Sequence, residues 1–82
     1  MTRIESAVLL PAGSSSLLSY RRHYAWATDK PGVVDAVYVK DGKPKRLWLD
    51  RDELPIVLDG GCNVVSFSYD TATGNAFAMR CN

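Results

Sequence analysis

Apolar residues recur with a period of two along most of this chain, the spacing of half-buried strands. Ile4, Ser6, Val8 and Leu10 share one parity before Pro11 stops the run, which predicts a strand over 4–10. Six residues of turn composition follow, Pro11 to Ser16, and read as a loop inside one domain. Residues 17–28 fit two patterns. As a strand, Leu18, Tyr20, Tyr24 and Trp26 line one face, interrupted by Arg22. As a helix, Leu17, Tyr20, Tyr24 and Ala27 form a stripe that Ser14 to Ser16 can cap. Aromatic density favours the strand and the serine run favours the helix.

Asp29-Lys30-Pro31-Gly32 is a turn, and the β-branched run Val33 to Val39 a strand. Asp41-Gly42 signals a hairpin whose returning strand is Leu47-Trp48-Leu49, with Tyr38 opposite Trp48 and Pro44 in the connection. Asp50 and Glu53 have capping-box spacing for one helical turn before Leu54-Pro55. Ile56-Val57-Leu58 leads into a sharp turn at Asp59-Gly60-Gly61. Two more alternating runs follow, with Val65, Phe67 and Tyr69 on one face of the first and Phe77, Met79 and Cys81 on one face of the second. Asp70 to Asn75 supplies the turn, with Gly74 suited to a left-handed position. Five or six strands and at most one short helix make a mainly β chain, one compact domain over 1–82. Sequential hairpins at this spacing predict an antiparallel meander, closed as a small barrel or packed as a rolled sheet.

Parity decides the expectation for Cys62 and Cys81. If the last two runs pair with both apolar sets on the core face, odd positions oppose odd ones, so the even Cys62 and the odd Cys81 point to opposite faces. A bridge between them then needs a bulge, for which Gly60-Gly61 is the candidate. Two free thiols are the expectation. No C-x-x-C or H-x-x-x-H pattern suggests a metal, and no cofactor is expected.

Composition narrows the class. The chain has 82 residues, 46% hydrophobic and 23% charged, which fits a folded domain rather than a disordered one. A net charge of +1 gives no general excess for polyanion binding. The longest apolar run, Ala7 to Ala12, is far below the ~20 residues a membrane helix needs, and no secretory signal is read in it. No membrane association is expected, and the cytoplasm is the expected compartment.

Catalytic candidates are thin. Cys62 after Gly60-Gly61, with His23 as base, is a formal nucleophile arrangement. It lacks a helix N-terminus to lower the thiol pKa, and a buried small hydrophobe explains it better. Asp50, Asp52 and Glu53 form an acidic run that Pro55 ends at once, and a solvated turn explains it better than a calcium loop. We therefore expect a non-enzymatic binding module with a protein partner, or a second copy of itself, regulatory or inhibitory in role. The alternative is a small barrel binding single-stranded nucleic acid. There Lys40, Lys43, Lys45 and Arg46 would meet phosphates while aromatics stack on bases. The expected contact residues are Tyr38, Lys43, Lys45, Arg46 and Trp48, followed by Arg21, Arg22 and Tyr24.

Overall fold

A computed structural model describes residues 1–40, 43–56 and 60–81. It contains one helix, α1 (Thr2–Ala7), and five strands: β1 (Arg21–Trp26), β2 (Val33–Val39), β3 (Arg46–Trp48), β4 (Val64–Asp70) and β5 (Asn75–Cys81). Single 3-10 turns lie at Leu17–Ser19, Arg51–Glu53 and Gly61–Asn63. The strands make one open sheet in the order β3-β1-β2-β4-β5.

The mainly β class is as expected, but the sheet is neither closed nor a meander. β1, β2, β4 and β5 pair antiparallel in turn, whereas β3 lies parallel to β1 at the far edge. The chain leaves β2 at Val39, passes the start of β1 and enters β3 beside Arg22. The expected β2–β3 hairpin is therefore corrected. Tyr38 stands between Arg22 and Val65, and Trp48 stands beside Tyr24. The Asp41-Gly42 turn, the Val57-Leu58 part of the expected strand and Asp59 lie outside the described residues.

The first run is also corrected, because residues 2–7 are helical. Both periods place Ile4 and Val8 on one side, so alternation alone does not separate them. The interior decides. A strand would send Ile4 and Glu5 to opposite faces, whereas a helical turn aims both at the sheet. Ile4 is buried in the core and the Glu5 carboxylate meets Arg22. Residues 17–28 combine a 3-10 turn at Leu17–Ser19 with strand β1.

Two cores flank the sheet. On one face Tyr24, Val34, Ala36, Tyr38, Val65, Phe67 and Tyr69 pack under Ile4 and Tyr20, with Val8, Leu10 and Leu17 at the margin. On the other, Ala25, Val37 and Val64 are covered by Leu54, with Val39 and Leu49 beside them. Glu53 fixes this cover by accepting the Asp50 N–H at 3.0 Å. Gly32 (φ +75°) closes the β1–β2 turn, where a Cβ would lie 3.4 Å from Thr71 Oγ1, and Thr71 itself donates to Gly32 O.

Cys62 and Cys81 form a disulfide, with Cα atoms 4.5 Å apart, against the expectation of free thiols. The parity argument fails at the Cys62 end, whereas Val65 opposes Cys81, odd to odd, as expected. Cys62 precedes β4 in the Gly61–Asn63 turn, so strand alternation does not govern it. β5 carries a bulge where Ala78 adopts φ +55°: Ser68 pairs with Phe77 but Ser66 with Arg80. Ala76 therefore faces the core before the bulge, and Met79 and Cys81 face it afterwards. Phe77, expected on the core face, is partly exposed. Among the described residues no helix is long and apolar enough to cross a membrane.

Candidate functional site

The expected contact residues divide into a buried group and an exposed one. Tyr24 and Tyr38 have no exposed surface, and Arg22 retains 7%. They converge on Glu5, which α1 delivers onto the sheet. Glu5 accepts from Arg22 Nη1 at 3.0 Å, Tyr24 Oη at 2.6 Å and Arg46 Nη2 at 2.8 Å. The Tyr24 and Tyr38 hydroxyls are 2.7 Å apart. A phenol has one proton, and Tyr24 gives its own to Glu5, so Tyr38 donates to Tyr24.

Burial by itself would raise the Glu5 pKa, but the Arg46 and Tyr24 hydrogen bonds and the two guanidinium charges hold it below the ordinary value. Burial beside this carboxylate pushes the Tyr24 phenol strongly up, and burial takes Tyr38 to about 12. Both phenols stay protonated at neutral pH. Neither hydroxyl of the network is poised to ionise. The network joins the N-terminal helix to the sheet.

On the opposite face, His23 is buried and its Nδ1–H donates to Val37 O at 2.9 Å. Burial lowers its pKa and the neighbouring Arg21 and Lys45 add to that, against a smaller opposing effect of the Val37 bond. Cys62 is bonded to Cys81, so the nucleophile arrangement considered for Cys62 and His23 is absent here.

The exposed group lies along β3. Lys43, Lys45 and Arg46 are exposed and Arg21 partly so, all at the end of the sheet where β1 and β3 begin. Trp48 is 44% exposed at the other end of β3, beside Trp26 at 52%. Their rings meet edge to face, with centroids 5.6 Å apart and planes at 74°. Trp48 also stacks on Tyr24, at 6.3 Å and 24°. The buried Tyr24 thus works as the floor for an exposed ring. Beyond Trp48 the chain leaves the sheet, so Trp26 has no β3 partner. A cavity of about 600 Å³ opens there, lined by Trp26, Thr28, Trp48, Asp50, Arg51 and Asp52.

Trp26 was not among the expected contact residues, and Asp50 and Asp52 were expected only as a solvated turn. The parallel pairing of β3 with β1 brings all three to Trp48, and no local pattern announces that pairing. Compared with protein-family models, curated proteins and solved structures, the chain matches none.

Proposed function

We propose that this chain is a non-enzymatic binding module whose contact surface is the β3 edge with the Trp26–Trp48 corner, and that its partner is a protein. The observation that carries the reading is two tryptophans, about half exposed, set against an open strand edge. Large rigid rings at a surface are the residues that most often dominate protein interfaces. Arg22 N–H donates to Lys45 O, and Leu49 N–H donates to Tyr24 O. In a parallel ladder this spacing turns the main-chain groups of Arg46 and Trp48 outward, where a partner strand can pair with them.

The nucleic-acid reading, with Lys43, Lys45, Arg46 and Arg21 on phosphates, is less well supported. Stacking platforms work when basic residues surround the rings. Here Arg21, Lys43 and Lys45 gather at one end of β1 and β3, whereas Asp50 and Asp52 flank the tryptophans at the other. Compartment is tied to the disulfide: an intact bridge favours oxidising surroundings over the expected cytoplasm.

The test is affinity capture from native lysate, with and without nuclease, using the wild-type chain and Trp48→Ala as parallel baits. A protein retained at stoichiometric level by the wild type, after nuclease, and lost by Trp48→Ala supports the reading. Retention that disappears with nuclease, or that Trp48→Ala leaves intact, rejects it.

A further inference from the structure

The charge around the tryptophan corner names the group it takes. Asp50 and Asp52 both line the cavity, and neither forms an ion pair among the described residues. The nearby cations are already engaged. Arg51 Nε donates to Asp35 at 2.8 Å, and that carboxylate also accepts from Ser68. Arg46, on the same face as Trp48, makes three bonds to Glu5. Lys30, in the turn after β1, lies 5.7 Å from the Phe77 ring centroid. What remains is two ring systems at a steep angle and two carboxylates without a cation.

Tryptophan faces attract cations more strongly than other aromatic side chains, and nearby carboxylates add a Coulombic term of the same sign. We infer that the Trp26–Trp48 corner, bounded by Asp50 and Asp52, binds a cationic side chain of a partner segment, an arginine or a lysine. The inference rests on the protein-binding reading and supplies the chemistry of its partner. An extended segment added to the outer edge of β3 places alternate side chains on the face that carries both tryptophans, so one of them reaches the corner.

Trp26 and Trp48 are the chain's only two tryptophans, so their fluorescence reports this site alone. The probe is a blocked tripeptide with central arginine, titrated beside its citrulline counterpart, which keeps the shape and loses the charge. We expect a saturable emission change with the arginine peptide, at least roughly tenfold weaker with citrulline. Added salt should weaken the arginine response. The double variant Asp50→Asn, Asp52→Asn keeps a capping side chain and both rings, and should lower arginine affinity about fivefold or more while leaving the circular dichroism unchanged. Equal responses to the two peptides, no response to either, or full arginine affinity in the double variant overturns the inference. A Trp48-dependent protein partner found alongside any of these results keeps the broader reading and rejects only the cation. Arginine binding without such a partner rejects the broader reading instead.

Discussion

Individual side chains carry opposing electrostatic costs in this domain, and Glu5 and His23 both contribute to its response to acid. Glu5 is shared by a buried arginine and an exposed one. Removing its charge strands Arg22 in the interior, where Nε already lacks a partner among the described residues. Glu5→Gln should therefore cost about 2–3 kcal/mol, read by urea unfolding, because an uncompensated buried charge outweighs the small net value of the pair. The carboxyl pKa lies below its ordinary 4.5 in the folded chain. Its contribution is complete above the unfolded value and is lost as pH falls through the native one. Wild-type stability should drop on acidification below 4.5, more steeply than that of Glu5→Gln.

His23 has a depressed pKa as well, from an ordinary 6.5, so protons bind the unfolded chain preferentially. Stability contributed by the neutral ring is present above 6.5 and declines as pH falls toward the lowered native value. The thermal midpoint should fall between about pH 7 and pH 5 in the wild type and stay flatter in His23→Gln. A midpoint that rises over that interval contradicts the burial of a neutral imidazole.

Elements show where alternation suffices and where it misleads. β2 and β4 were legible because β-branched and aromatic residues fill Val33–Val39 and alternate with polar ones through most of Val64–Asp70. β5 was legible as a strand, and Met79 and Cys81 face the core as expected, but Phe77 does not. One residue at a bulge, Ala78, reverses which side chains enter the core, and an alanine carries no local signal for φ +55°. The disulfide depends on that reversal. It closes a sequence separation of 19 and ties the turn before β4 to the end of β5. Tyr20 reinforces it by donating to Cys62 O at 2.7 Å. The double variant Cys62→Ser, Cys81→Ser should lose about 3 kcal/mol, the loop-closure value for a loop of this length. Ellman titration of the unfolded, unreduced protein should find no thiol, and two thiols would restore the expectation drawn from strand parity.

At the scale of the whole molecule, the sheet has two faces with different cover. One carries α1 and the buried tyrosines; the other, among the described residues, carries Leu54 and its neighbours. Neither cover reaches the Trp26–Trp48 corner. Truncating Trp48 should thus leave stability within about 1 kcal/mol of wild type while abolishing partner retention. A loss of several kcal/mol in urea would assign Trp48 to the fold instead of the surface. Native tryptophan emission should lie near that of the unfolded chain, and acrylamide should quench it readily.

The sequence by itself determined the mainly β class, the strands β2 and β4, the turns at Asp29–Gly32 and Asp70–Asn75, and the capped turn after Asp50. Each depends on residues within about one turn or one strand length, which is the range over which alternation, capping and glycine placement act. Tertiary structure decided the rest. Residues 2–7 became helical because two adjacent side chains, Ile4 and Glu5, both had partners on one sheet face. Trp48 met Trp26 instead of Tyr38 because β3 crossed the start of β1 and paired in parallel. Cys62 reached Cys81 through a turn and a bulge lying in separate segments. All three outcomes come from contacts between residues far apart in sequence, and no local period encodes them.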